Sequence, residues 1–194
     1  KYGLRPDNQL CTDDFAGHLK NNLNLSVKAA VGLASYAELS GDKKYRKIAE
    51  EYAKEIMKVS AVYSHSPLTW DSNDETYSIK YNLAFDRLLK LGLFPQDFME
   101  HETDFYLTKA TEYGIALDNR NTYAKSDWLM WAASLTDNIE KRKKYVAILD
   151  TFLKKSPERE PFPDLYDANT GKRFWFRNRT VQGGCFILLF NNKL

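Results

Sequence analysis

Apolar residues along this chain recur at the three- and four-residue steps that line up on one stripe of an α-helix. Tyr45, Ile48, Ala49, Tyr52, Ile56 and Val59 follow that spacing, with lysines and glutamates between them. The preceding segment, Asn24 to Ser40, is patterned differently. Val27, Ala29, Ala30, Val31, Leu33, Ala34 and Ala37 leave it little polar surface, and a helix apolar nearly all round is expected to be enclosed by others. Gly41 and Asp42 separate the two helices.

The alternation repeats. Tyr81 to Leu91 is mostly apolar and is followed, after Pro95, by a mixed helix through Phe98, Phe105 and Tyr113. Trp128 to Leu135 is apolar, and Asn138 to Lys155 is amphipathic through Ile148, Leu149, Phe152 and Leu153. Val181 to Phe190 opens one more apolar helix. The pattern predicts an all-α chain of about seven main helices, arranged as inner-then-outer hairpins in a single helical-hairpin domain over 1–194. Only Phe174 to Phe176 has any strand character.

Connection lengths are unequal. Inner-to-outer turns are short, at Gly41, at Gly92 to Pro95 and at Thr136-Asp137. Outer-to-inner connections are long, at 63–80, 114–125 and 156–180. In stacked hairpins all the long loops gather at the N-terminal ends of the inner helices, where dipoles and free N–H groups favour carboxylates and oxyanions. Long loops in a compact domain are usually functional, so the site is expected on that face.

Composition narrows the chemistry. The 194 residues carry 28 basic and 26 acidic side chains, a net charge of +2, which leaves no broad basic field for nucleic acid. With 43% hydrophobic and 14% aromatic residues the chain can build a sizeable core. The longest apolar stretch, Cys185 to Phe190, falls far short of the roughly 18 residues of a membrane span. Cys11 and Cys185 are too few for a disulfide scaffold, though one bridge stays open. The chain starts at Lys1 without Met or a signal peptide, as expected of a processed or excised product.

His18, His65 and His101 lack metal-ligand spacing, and there is no P-loop or dinucleotide fingerprint, so no metal or cofactor is expected. Ser40-Gly41-Asp42-Lys43 matches S-x-x-K but spans a tight helix break on the opposite face. Asn178-Arg179-Thr180 fits a glycosylation sequon, which matters only in a eukaryotic secreted protein.

Four segments supply the expected face: 5–14, 69–77, 118–128 and 164–179. Each brings a carboxylate and three bring an arginine, and paired carboxylates in unlike environments can serve as acid and base in hydrolysis. Asp13 and Asp14 either act there or cap a helix after Thr12, and Ser126-Asp127 also reads as a cap. Trp70 and Trp175 lie in polar loops and suit a ligand wall as well as packing. Arg177 and Arg179, close to Gly183-Gly184, could grip a carboxylate bidentately or pair on the surface.

In these same segments Arg5-Pro-Asp-Asn-Gln-Leu-Cys-Thr-Asp-Asp-Phe-Ala-Gly-His18, Tyr77-Ser-Ile-Lys-Tyr-Asn82, Tyr123-Ala-Lys-Ser-Asp-Trp128 and Arg179-Thr-Val-Gln-Gly-Gly184 resemble the glutaminase A family in its central six-helical-hairpin domain. The resemblance runs in order along nearly the whole chain. It implies an (α/α) toroid related to the six-hairpin glycosidases, with a β-rich N-terminal region elsewhere in the full protein. It also implies hydrolysis of L-glutamine to L-glutamate and ammonia, and a secreted or periplasmic location. A full toroid has six hairpins, so this chain is expected to be its C-terminal portion, an incomplete ring whose partner is the missing N-terminal portion of the same protein. The apolar groups of Val181 to Phe190 should then be covered in the intact protein, and the chain alone should self-associate or bind ANS.

Catalysis is accordingly expected from Asp7, Asp13, Asp14 and Asp127, one carboxylate activating water and another protonating the leaving ammonia. Arg5, Asn8, Trp70, Lys125, Trp128, Trp175, Arg177 and Arg179 are the expected substrate contacts, with the α-carboxylate of glutamine on Arg177 or Arg179. The competing reading is a glycoside hydrolase or carbohydrate-binding toroid, in which two carboxylates and the platforms Trp70 and Trp175 serve a sugar. A third is a helical scaffold for a protein partner, with an open concave surface and no polar pocket.

Overall fold

The computed structural model describes residues 3–10 and 14–190, with the backbone alone at Asp14. Among these residues the chain forms seven α-helices, two three-residue strands and two 3₁₀ segments. It is an all-α hairpin fold. Contacts divide it into two compact units, 1–101 and 102–194.

In the first unit α1 (Leu23–Ser40) and α2 (Lys43–Val62) form a hairpin. Asn22 caps α1 by accepting from the Leu25 N–H, and Asp42 caps α2 by accepting from the Lys44 N–H. Between them Gly41, at φ 72°, donates its N–H to the Ala37 carbonyl, a left-handed turn that glycine adopts without a Cβ clash. The buried stripe pairs Val27, Ala30, Ala34 and Ala37 of α1 with Ala49, Ala53 and Ile56 of α2, and small residues on both sides favour close approach. α1 is not enclosed all round, as its composition suggested. Lys28, Gly32, Tyr36 and Leu39 are exposed, so this near-apolar helix has one open face.

α3 (Leu83–Leu88) is shorter than the apolar run around it. It ends in a Schellman turn, with the Leu91 N–H bonded to the Asp86 carbonyl and the Lys90 N–H to the Arg87 carbonyl, Lys90 taking the left-handed conformation at φ 54°. Asp86 then accepts the Leu93 and Phe94 N–H groups, which fixes the chain reversal into α4 (Gln96–Thr108). Side-chain hydrogen bonds thus win over helix periodicity in 89–94.

In the second unit, strands β1 (Tyr123–Lys125) and β2 (Leu165–Asp167) pair antiparallel, with Ala124 opposite Tyr166 and Lys125 opposite Leu165. The strand expected at 174–176 is absent. Phe174 donates its N–H to the Leu165 carbonyl beside an isolated Tyr166–Arg173 bridge, and the sheet is formed by 123–125 and 165–167, stretches too short for alternation to mark them. β1 runs directly into α5 (Ser126–Ala133), which packs against α6 (Ile139–Lys155). Asn138 caps α6 by accepting from the Glu140 and Lys141 N–H groups. The last apolar segment is not one helix. It is a 3₁₀ segment, Thr180–Phe186, followed by the single turn α7 (Ile187–Phe190), and the two poor helix formers Gly183 and Gly184 lie in the irregular part.

Candidate functional site

Lys125, the last residue of β1, is buried and reaches two carboxylates at once. Its Nζ lies 3.1 Å from Asp127 Oδ2 and 3.2 Å from Asp164 Oδ2. The same ammonium stands 4.1 Å from the centroid of the Trp128 ring. Arg179 grips Asp164 bidentately, through Nε to Oδ1 and Nη2 to Oδ2, while its guanidinium lies over Phe176. Asp127 and Asp164 are 1% and 0% exposed. Two anions and two cations therefore balance inside the second unit, the arrangement that buried charges require.

The local sequence explains the assembly. Ser126 donates its N–H to the Asp164 carbonyl, which continues the β1–β2 ladder by one step and brings Asp164 beside the start of α5. The 3₁₀ segment then lies across Asp127. A Cβ built on Gly184 would stand 2.6 Å from Trp131 Nε1 and 3.0 Å from Asp127 Cβ, a close approach that only glycine allows here. Two motifs far apart in the chain, 123–128 and 179–184, thus build one site.

The two carboxylates sit in unlike environments. Burial pushes Asp127 above the usual carboxylate range, and Lys125 offsets it only in part. Burial acts the same way on Asp164, but there the Arg179 hydrogen bonds and the Lys125 ammonium outweigh it and hold the group below its ordinary value. The two carboxyls are thus shifted in opposite directions, the kind of difference by which acid and base roles are separated. Lys125, not Asp127, holds the N-cap position of α5, and its side chain makes no cap hydrogen bond.

Asp127 Oδ1 and the Tyr166 hydroxyl are buried oxygens of this unit without hydrogen-bond partners. Cys185, a free thiol, is pushed up to about 11 by burial, with Ser126 and Lys125 opposing the rise and Asp127 and Asp164 adding to it. Among the described residues, no three His, Cys, Asp or Glu side chains are grouped to hold a metal ion.

The other expected residues lie elsewhere or act differently. In the first unit Arg5 is exposed, 4.0 Å from Asp71 and 4.7 Å from the Trp70 ring centroid. Trp70 donates its Nε1–H to Ser26 Oγ at 2.9 Å, and Ser26 in turn donates to the Leu4 carbonyl, so this tryptophan anchors the N-terminal segment. Asp7 and Asn8 are exposed, and Asp7 accepts the Asn8 N–H. Asp13 and Cys11 lie outside the described residues, as does the side chain of Asp14. In the second unit Trp175 is 63% exposed and Arg177 is exposed, whereas the fork of Arg179 is already occupied by Asp164.

Asp164, Ser126, Tyr166 and Cys185 were not singled out as site residues by sequence reasoning. Asp164 stood inside a segment assigned to the face, but nothing in its spacing ties it to Lys125. Lys80, in the motif 77–82, is structural: its buried ammonium donates to the carbonyls of Ser66, Pro67 and Ser78 and to Ser78 Oγ.

Residues 1–189 match the family described as the glutaminase A six helical-hairpin domain. The chain belongs to that family. A protein named Glutaminase A from Aspergillus oryzae (strain ATCC 42149 / RIB 40) is 34% identical over 200 residues, covering 96% of this chain and 29% of its own length. A protein named "Probable glutaminase" from Arthroderma benhamiae (strain ATCC MYA-4681 / CBS 112371) is 27% identical over 230 residues, covering 97% of this chain and 26% of its own length. The glutaminase A family chain thus spans less than a third of the curated relatives it matches. Its two site-building motifs fall within the matched region, and no helix among the described residues is long and apolar enough to cross a membrane.

Proposed function

We propose that this chain is part of an amide hydrolase that converts L-glutamine to L-glutamate and ammonia, with Asp127 as its acid–base residue. The observation that carries the reading is the pair Asp127 and Asp164, buried, bridged by Lys125 and shifted in opposite directions. The names of the relatives supply the substrate class.

In the proposed reaction Asp127 takes a proton from water as the water oxygen bonds to the amide carbon. The carbon–nitrogen bond then breaks, and Asp127 returns the proton to the leaving nitrogen, giving the carboxylic acid and ammonia, which exchange a proton to become carboxylate and ammonium. Asp164 stays ionised and keeps Lys125 and Arg179 in place. Arg177, which is exposed, remains the candidate for the α-carboxylate, since Arg179 is held by Asp164.

The test is ammonia release from L-glutamine by the full-length protein. Asp127→Asn should lower kcat by at least about a hundredfold, the usual contribution of general acid–base catalysis. A full-length protein that releases no ammonia overturns the reading.

One observation favours sugar chemistry instead. Tyr123, Phe174 and Trp175 form an edge-to-face cluster, with ring centroids 4.7 Å apart for Tyr123–Phe174 and 6.1 Å for Tyr123–Trp175, and Trp175 is largely exposed. Such a platform suits a pyranose face. Release of reducing sugar without ammonia would replace the amidase reading by this one.

A further inference from the structure

Trp175 stands in a cluster of rings with its own surface open to solvent. It is 63% exposed, and its ring centroid lies 5.7 Å from that of Phe174, 6.3 Å from Phe176 and 6.1 Å from Tyr123. Two of these neighbours tie the cluster to the ion-paired site. The guanidinium carbon of Arg179 sits 3.7 Å from the centroid of Phe176, and its Nε is 3.1 Å from Asp164 Oδ1. Tyr123 precedes Lys125 by two residues in β1, a step of about 7 Å along one side of the strand. A continuous series of contacts thus leads from Asp127 and Lys125 in the interior to Trp175 at the surface. Arg177 follows Trp175 by two residues, so their backbones are at most about 7 Å apart. It is exposed and makes no ion pair among the described residues.

Free glutamine would use this wall poorly. With its side-chain amide at Asp127 and its α-carboxylate at Arg177, it has only a short methylene stem to set against an aromatic surface, which then stays in water. Its α-ammonium also lacks a partner. Asp164 is bonded to both Lys125 and Arg179, and Asp127 is bonded to Lys125 and carries the proton transfer. The unpaired charge beside Trp175 in the chain is a cation, Arg177. A charge that loses water without gaining a counter-charge weakens binding. Acylation of the α-nitrogen removes that charge and adds a group at the end of the molecule held by Arg177, within reach of Trp175.

Resting on the amidase reading above, we propose that the preferred substrate is an N-acylated L-glutamine with an apolar acyl group, and that Trp175 is a specificity-determining residue. Its ring covers the acyl group while Arg177 pairs with the free α-carboxylate. Small acylated amino acids and the C-terminal glutamine of a peptide share this chemistry. The side-chain amide takes up water and releases ammonia as before, and the acyl–nitrogen bond stays intact.

Ammonia release by the full-length protein should be compared for L-glutamine, N-acetyl-L-glutamine, N-carbobenzoxy-L-glutamine and N-acetyl-phenylalanyl-L-glutamine, in the wild type, Trp175→Ala and Trp175→Phe. The wild type should favour N-carbobenzoxy-L-glutamine over L-glutamine by about tenfold in kcat/KM, chiefly through KM, with N-acetyl-L-glutamine between them. Trp175→Ala should lose most of that ratio, and Trp175→Phe, which keeps a ring, should retain most of it. A purely structural role would depress all four substrates alike and leave the ratio unchanged. Preference for the acetylated dipeptide over the carbobenzoxy compound assigns the chemistry to peptides, and the reverse order assigns it to small acylated amino acids.

A wild type that favours L-glutamine, or a ratio unchanged in Trp175→Ala, overturns the proposal and leaves the amidase reading intact. If no substrate releases ammonia, the reading itself fails. Calorimetry on the full-length Asp127→Asn variant gives a readout independent of turnover. N-carbobenzoxy-L-glutamine should bind it about tenfold more tightly than L-glutamine and lose that margin when Trp175→Ala is added, whereas equal affinities overturn the platform.

Discussion

Gly184 lies so close to Trp131 that a methyl group on it would come within 2.6 Å of the indole nitrogen. The contact seats the 3₁₀ segment on α5, directly over Asp127. Gly184→Ala must therefore lift the segment or displace the indole, and overpacking of this kind costs about 1–3 kcal/mol. Thermal melts should show the loss for Gly184→Ala but not for Gly183→Ala, where nothing lies within 4 Å of the added carbon.

Removing the ammonium of Lys125 leaves two carboxylates facing each other without their shared cation. Lys125→Met should destabilise the second unit by about 3–5 kcal/mol, the range for breaking a buried ion pair from one side. Urea unfolding at neutral pH measures it. A loss below 1 kcal/mol would mean that water already reaches the cluster.

The two carboxylates should oppose each other in pH dependence. Asp164 has a depressed folded-state pKa, so its contribution is present above the unfolded value and is lost as pH falls through the folded one. Asp127 has a raised pKa, so its contribution is full below the unfolded value and is lost as pH rises through the folded one. Relative to wild type, Asp127→Asn should accordingly gain in melting temperature on going from acid to neutral pH, and Asp164→Asn should lose.

Arg5 and Trp70 should separate cleanly. The Arg5–Asp71 pair is exposed and long, so Arg5→Ala should cost less than 1 kcal/mol of stability. Trp70→Phe deletes the hydrogen bond to Ser26 and should cost about 1 kcal/mol. An increase in KM for glutamine on Arg5→Ala, without loss of stability, would place Arg5 on the substrate.

The chain expressed alone should bind ANS. Leu39, Phe186, Leu189 and Phe190 are exposed, and each large apolar side chain left in water forgoes about 1.5–3 kcal/mol of burial energy. Light scattering should show self-association, whereas a monodisperse monomer with low ANS fluorescence would show these residues to be tolerated singly.

Much of this architecture was legible in the residues themselves. Hydrophobic spacing located α1, α2, α5 and α6 to within a few residues, because a 3.6-residue stripe must be buried as a stripe, whereas the helix expected through Tyr113 ends at Thr108. Asn138, Asp42 and Gly41 marked their helix ends through local hydrogen bonds and a positive φ that need no distant partner. The motifs 123–128 and 179–184 were visible as motifs, and Lys125, Asp127 and Arg179 were named from them.

Tertiary structure decided what these residues do to one another. Asp164 became the partner of Lys125 and Arg179 only because β2 pairs with β1, a contact between segments some forty residues apart. Strands of three residues carry no periodic signal, so neither the sheet nor the place of Tyr166 within it could be read from the pattern. The same pairing decides charge. Asp127 and Asp164 are identical in sequence terms, and their pKa values part only because burial dominates at one while two cations outweigh it at the other.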